Sequence, residues 1–464
     1  MAGDARQKQA RQIALEALLQ IEREVFSDTA LDKSLSQAPL DPRDRRFVTE
    51  LVYGVTRRRR TLDVLIDQLS RKRSRHPVKL QAILRLGLYQ LRYLTQVPPS
   101  AAVNTSVELA KHSGLRGLAG LVNGMLRQYS RLQAQGDPLR LPEEPIARLA
   151  VEHSYPDWIV ALWVDTVGLE DAETLCQWFN QPPSLDLRIN PLKTKRTEVT
   201  AALDVAGIGY QTLPLPQAIQ LSAQPVKSIP GFDAGWWSVQ DSSAQLVGHC
   251  LAPQPGETIV DACAAPGGKA THAAELMGDR GVVWACDRSA KRLKRLQDNQ
   301  ARLGLSSLQT KAVDLRELDF EAVDRVLLDV PCSGLGTLHR HADARWRQTP
   351  ETVAGLAQLQ QELLNHGASW VKPGGVLVYA TCTLHPQENE AVVRQFLMTH
   401  SDWAIDPIDL PDIAPEQLSS WRWSTPRSDD GMALTGCLKV WPHRHNMDGF
   451  FVARLRREPH PIEG

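Results

Sequence analysis

Residues 258–278 read TIVDACAAPGGKATHAAELMG, and the order of residue types in this stretch decides how the second half of the chain folds. The apolar run Thr258 to Val260 has the character of a buried strand. It enters a loop of small residues and then opens an amphipathic helix. Gly267 and Gly268 let the backbone turn sharply and approach a ligand with no Cβ in the way, while the amides at the start of the helix can bind a negatively charged or polar group. The next run, GVVWACD, reads as a second buried strand ending in Asp287, 20 residues after Gly267. At that offset an acidic side chain can take the ribose hydroxyls of a nucleotide-like cofactor. A third strand end, LQTKAVD, places Asp314 where a carboxylate could accept a hydrogen bond from an adenine amino group. Any strand-to-helix turn can carry glycines, so a purely structural turn stays open beside the cofactor reading. The loop is not GxGxxG, because Pro266 and Lys269 occupy positions that a dinucleotide fingerprint fills differently, and NAD is therefore disfavoured.

Toward the C-terminus, the strand DRVLLD ends in DVPCSGLG and the strand GGVLVYATC ends in TCTLHPQENE. Two cysteines, Cys332 and Cys382, thus cap two strands. In a doubly wound sheet ligands bind outside the carboxyl ends of the strands, so both thiols face the place expected for the cofactor. A lone cysteine usually reads as a small buried hydrophobe; two at strand ends beside Asp329, Pro331 and Ser333 point instead to chemistry. The chain has seven cysteines, at 176, 250, 263, 286, 332, 382 and 437, with no CxxC pair, so free thiols are expected rather than disulfides or a zinc site. His443 and His445 near Cys437 match no common zinc spacing and read as surface residues.

Toward the N-terminus the pattern is helical up to about residue 132. Leu80, Ile83, Leu84, Gly87, Leu88 and Leu91 share one helix face, and similar periodicity runs through Ile13 to Ile21 and Val103 to Ala110. The first 150 residues hold 25 Lys and Arg against 15 Asp and Glu, so a +10 front offsets a −10 remainder within a formal net charge of zero. Arg57 to Arg60 and Arg71, Lys72, Arg73 and Arg75 supply most of that excess. It is the footprint of a polyanion partner or a solvated face. The reading divides the chain into an all-α domain at 1–132, a Gly/Pro-rich linker at 133–145, a small α+β segment at 146–234 and an α/β domain at 235–464. In the α+β segment, Leu185, Leu187 and Ile189 alternate as a short strand, with Arg188 and Asn190 on its polar face, either solvated or on RNA phosphate and sugar. Charged residues scattered through MAGDARQKQARQIALEALLQ and the lack of a long apolar run argue against a signal peptide or membrane span, and place the protein in the cytosol.

The motifs CAAPGGK, DVPCSG and TC followed by PQENE resemble the RNA cytosine-C5 methyltransferases, the group with two active-site cysteines. The front, in VPPSAAVNTSVELAK and LVNGMLRQYSR, resembles the helical RNA-binding fold of NusB. Together they make nearly the whole chain similar to the bacterial 16S ribosomal RNA members of that group. This resemblance implies an all-α NusB-like domain followed by a Rossmann-like class I methyltransferase fold with a mixed, mostly parallel seven-stranded sheet. It implies that Cys263, Ala264, Ala265, Pro266, Gly267, Gly268 and Lys269 bind S-adenosyl-L-methionine, with Asp287 on the ribose, Asp314 near the adenine and Asp329 near the amino acid end. Cys382 is implied as the nucleophile at carbon 6 of cytosine, Asp329 as the proton donor at ring nitrogen 3, and Cys332 as the group that helps release the product. Lys269 and nearby amides are candidates for lowering the Cys382 pKa. HRHADARW departs from the family's segment at His339, Ala342 and Ala344, and YATCT departs at Ala380 and Thr383.

Arg188, Asn190, Arg340, His341, Asp343 and Arg345 are the candidates for holding RNA, whose target base must be unpaired or flipped out. The expected partner is 16S ribosomal RNA, naked or in an assembling small subunit, with no metal and a monomeric chain. Transfer RNA as substrate, or a non-catalytic RNA-binding regulator, are the alternatives.

Overall fold

The computed structural model describes residues 2–70, 76–222, 225–425 and 433–459. The basic cluster Arg71, Lys72, Arg73 and Arg75 lies outside the described residues. The chain forms two compact units, one of Met1–Gln181 with Leu338–Gln348 and one of Pro182–Thr337 with Thr349–Gly464.

The first unit is helical, and its described residues contain no strand. On the helix Val78–Tyr93 the periodic face closes as expected: Leu80, Ile83, Leu84, Gly87 and Leu88 are buried and Leu91 is half-buried. The helix Pro42–Arg57 begins with proline at its first position and Asp41 as its cap, accepting from the Asp44 amide at 2.8 Å. Residues 134–144 form neither helix nor strand, and they join two helices, Ala119–Gln133 and Pro145–His153, of the same unit. The expected α+β segment is divided: its helices Asp157–Val167 and Leu169–Trp178 lie in the first unit, and its strands lie in the second together with the helix Arg196–Val205.

The second unit holds two sheets. The smaller is antiparallel and is formed by β1 (Leu185–Ile189), β2 (Tyr210–Thr212), β3 (Ala218–Leu221) and β4 (Trp237–Val239), in the order β2-β3-β1-β4. The larger contains β5 (Thr258–Asp261), β6 (Val282–Asp287), β7 (Leu308–Ala312), β8 (Val323–Asp329) and β9 (Val371–Thr381), all parallel, in the order β7-β6-β5-β8-β9. It continues through β13 (Phe450–Arg457), antiparallel to β9, then β12 (Cys437–Val440) and the two-residue β11 (Arg422–Trp423). β10 (Trp403–Ile405) pairs on β13. Among the described residues the sheet therefore has nine strands. Seven make the expected core; β10 and β11 are too short to leave a periodic signal. The chain winds from β5 to β7 in one direction and returns to β8 on the other side of β5, so the switch point, beyond whose carboxyl ends such sheets bind ligands, lies between β5 and β8. No helix of the described residues is long and apolar enough to cross a membrane.

Candidate active site

The carboxyl ends of the five parallel strands build the centre. β5 leads into the loop Cys263–Gly267, whose turn includes a cis Ala265–Pro266 bond, and the helix Gly268–Leu276 follows. Gly267 has φ +107°, and a Cβ there would meet the Leu296 side chain at 2.5 Å, so only glycine fits. β6 ends in Asp287, whose Oδ1 accepts from the Ser289 amide at 2.8 Å and whose Oδ2 accepts from the Ala265 amide at 3.3 Å and Arg292 at 3.1 Å. Asp287 thereby fastens the loop from beneath, and a carboxylate's capacity of about four acceptor positions leaves room for a further donor. Asp314 follows β7, caps a short turn and pairs with Arg316 at 2.9 Å; the Arg316 hydrogen bonds pull its pKa down to about 2.

Asp329 ends β8 and accepts from Lys269 Nζ at 2.6 Å. Burial works against the Lys269 charge, but the carboxylate of Asp329 outweighs it, and negative charge at Cys382 adds to the effect, so the Lys269 pKa is raised. The ammonium also lies 5.0 Å from the centre of the Phe450 ring. Cys332 and Cys382 leave the neighbouring strands β8 and β9, and their sulfurs are 3.2 Å apart. The hydrogen bond to Cys382, then burial, push the Cys332 thiol well above the usual range. The seven cysteines are free thiols; Cys176, Cys250, Cys286 and Cys437 are buried, while Cys263, Cys332 and Cys382, the three in the motifs, are partly exposed.

Two groups at this centre escaped the sequence reading. Asp261, at the end of β5, is buried with no full hydrogen-bond partner for either oxygen, and burial lifts its pKa to about 7. Glu388, of the PQENE motif, is fully buried beneath the two cysteine loops. A glutamate in a polar loop reads as solvated, and only the motif match could have flagged it.

The structure corrects several of the RNA-contact candidates. Arg188 is 0% exposed. Its guanidinium donates to Glu275 at 2.9 and 2.7 Å, to Thr271 at 3.0 Å, and to Gln240 and the Gly268 carbonyl, so it braces the helix that follows the Cys263–Lys269 loop. The supposed polar face of β1 is a second buried face. Asn190 is buried as well, donating to the Gly235 carbonyl at 3.3 Å and accepting from the Leu192 amide at 3.0 Å. Asp343 and Arg345 belong to the first unit and are buried there. Asp343 accepts from the Ser27 amide and hydroxyl at 3.1 and 2.7 Å. Arg345 donates to the Ser154 carbonyl at 3.1 Å and stacks on Tyr155 at 4.0 Å. Arg340 is half-buried, and His341 is exposed and pairs with Asp28 at 3.2 Å. His443 and His445 are half-buried rather than on the surface, and His445 accepts from the Trp441 amide at 2.8 Å.

A mixed sheet with this strand order, a glycine loop after its first parallel strand and acidic residues at the next two strand ends define a Rossmann-like methyltransferase fold. Family models for 16S rRNA methyltransferase RsmB/F, the NusB family and a Methyltr_RsmF/B-like ferredoxin-like domain match residues 248–456, 8–131 and 155–227. The chain is 51% identical to the "Probable ribosomal RNA small subunit methyltransferase B" of Synechocystis sp., over 97% of this chain and 99% of that one. It is 34% identical to the "Ribosomal RNA small subunit methyltransferase B" of Escherichia coli, over 97% and 99%. Among solved structures, a methyltransferase homolog protein from Pyrococcus horikoshii superimposes with a TM-score of 0.58 at 28% identity, covering 68% of this chain and all of that one. The chain belongs to the ribosomal RNA small subunit methyltransferase B family.

Proposed function

We propose that this protein methylates carbon 5 of a cytosine in 16S ribosomal RNA, using S-adenosyl-L-methionine and a transient covalent bond from Cys382 to carbon 6 of the base. The observation that carries the reading is the 3.2 Å contact between Cys332 and Cys382 beside the Lys269–Asp329 pair. The donor's site fits this chain's residues: Gly267 takes the left-handed turn that ends the loop, the helix that starts at Gly268 has no side-chain cap on its first amides, and Asp287 and Asp314 stand at successive strand ends. When bound, S-adenosylmethionine supplies an electrophilic methyl group.

Carbon 5 of cytosine is a poor nucleophile. The Cys382 thiolate adds to carbon 6, forming a carbon–sulfur bond and leaving an enamine whose carbon 5 can take a methyl cation. Lys269 holds positive charge beside that sulfur and favours its thiolate. Asp329 accepts a hydrogen bond from the Lys269 ammonium and passes a proton from it to ring nitrogen 3 as the enamine forms. Cys332, having lost its own proton to solvent once Cys382 is covalently engaged, takes the proton from carbon 5; those electrons form the ring double bond, the bond from carbon 6 to Cys382 breaks to return the thiolate, and the proton on ring nitrogen 3 goes back to the Lys269–Asp329 pair.

Arg340 and His341 are the RNA-contact candidates that keep exposure. Cys382→Ala is expected to give no 5-methylcytosine when the purified protein is incubated with 16S ribosomal RNA and labelled methyl donor, with product nucleosides separated by chromatography. Full 5-methylcytosine yield from that variant refutes the nucleophile.

A further inference from the structure

Glu388 accepts the Ser333 amide at 2.8 Å on one carboxylate oxygen and the Ser333 hydroxyl on the other. The same Ser333 hydroxyl lies 2.8 Å from the Thr383 hydroxyl, so one carboxylate ties the residue after Cys332 to the residue after Cys382. Gln360 reinforces the tie, donating to Glu388 at 3.0 Å and to the Pro331 carbonyl at 2.9 Å. Tyr379, on β9, donates to the Glu388 carbonyl at 2.6 Å, which fixes the clamp to the strand that carries Cys382. The neighbouring Asn389 accepts from Thr381 and donates to the Thr383 carbonyl at 3.0 Å, so the cysteine is bracketed on both sides. On the far side of the Cys332 loop, the Gly336 amide donates to the Cys382 carbonyl at 3.0 Å. A Cβ on Gly336 would stand 2.1 Å from the Gly449 carbonyl oxygen, so this close approach needs glycine.

These donors to the Glu388 carboxylate are neutral. Burying a carboxylate on neutral donors is costly, and a neutral side chain of the same shape would secure the loops at lower cost. What the charge adds is strength, because hydrogen bonds to an ionised acceptor are shorter and stronger than those to a neutral one.

We propose that Glu388 is a positioning residue: it clamps the loop after β8 to the loop after β9 and sets the separation of the two sulfurs. This rests on the two-thiol reaction proposed above, and deepens it. Burial pushes the Glu388 pKa up, and the Ser333 and Gln360 donors pull it back, which is the balance of a carboxylate held by its loop partners. With the clamp gone, Cys332 drifts from its position over the adduct, so release suffers before addition does.

The test uses the full chain with Glu388→Ala, Glu388→Gln and Ser333→Ala. Diamide cross-linking of residues 332 and 382, followed by intact mass, reads the sulfur separation without RNA or methyl donor. Glu388→Ala is expected to cross-link about tenfold or more slowly, since a displacement of about an ångström costs on the order of a hundredfold in proximity. Glu388→Gln, which keeps an acceptor for the Ser333 amide, is expected to cross-link near the normal rate. Ser333→Ala, a small change that spares the fold, is expected to fall between. In turnover with RNA, Glu388→Ala is expected to accumulate covalent RNA adduct and lower kcat, with KM for the methyl donor unchanged. Cross-linking at the normal rate in both Glu388→Ala and Ser333→Ala overturns the clamp, even where the two-thiol reaction holds. Absence of adduct in Cys332→Ala overturns the reaction instead, and cross-linking alone then decides the clamp.

Discussion

Arg188→Met removes a guanidinium whose nitrogens are hydrogen-bonded inside the second unit, and the size of the loss follows from what stays behind. The side chains of Arg188 and Glu275 are both 0% exposed, and they pair through two hydrogen bonds of 2.9 and 2.7 Å. Breaking a buried pair by deleting one partner costs about 3–5 kcal/mol, because the other charge is left buried without compensation. For a domain of this size that corresponds to a drop of roughly 10 °C in the melting midpoint. The penalty depends on pH. Burial raises the Glu275 pKa even with Arg188 present, and removing the cation raises it further. A carboxyl whose folded pKa lies above its unfolded value destabilises the fold only where the unfolded chain has already lost the proton. The variant is therefore least impaired at low pH, and its deficit grows as pH rises from the unfolded to the folded pKa. Arg188→Met/Glu275→Leu is expected to recover most of the loss. Calorimetric melts at several pH values, with RNA affinity measured in parallel, make the assay. A normal melt together with weaker RNA binding and a shallower salt dependence would refute the buried strut and restore Arg188 as a phosphate contact.

Lys269→Met should lower kcat by about a hundredfold or more, since it removes a preorganised charge at the reacting centre, and should slow Cys382 alkylation at neutral pH. Rapid-quench turnover and reagent kinetics check both. Gly267→Ala, at φ +107° and 2.5 Å from Leu296, should destabilise the loop by about 1–3 kcal/mol and weaken S-adenosylmethionine binding, read by melting and titration calorimetry. Arg340→Ala with His341→Ala should weaken RNA binding and leave the melt unchanged, whereas Arg345→Ala, buried against Tyr155, should lower the melting midpoint. Filter binding and melting of the same preparations separate the two.

What could be read from sequence was what is local. Gly267 announces a backbone turn through its own conformation, and the strand ends at Asp287 and Asp329 announce themselves through apolar runs that stop at an acid. Cys332 and Cys382 were placed together because parallel strands share one carboxyl end, a property of topology rather than of contacts. Arg188 was misread because alternation along β1 identifies two faces but does not say whether the second is covered; the helix Gly268–Leu276, about 80 residues later, covers it. Asp343 and Arg345 failed for a related reason, since an Arg-rich loop segment looks solvated until its partners Ser27, Ser154 and Tyr155 are known. Glu388 was legible only as part of a motif, because its reason for burial is the convergence of two loops.

RNA carrying 5-fluorocytidine at the target position offers the sharpest measurement, because fluorine at carbon 5 cannot leave as a proton and the covalent bond to the enzyme persists. Peptide mapping of the trapped complex, formed with the methyl donor present, is expected to locate the RNA on the sulfur of Cys382. Attachment at Cys332, or no trapped complex, would contradict the account.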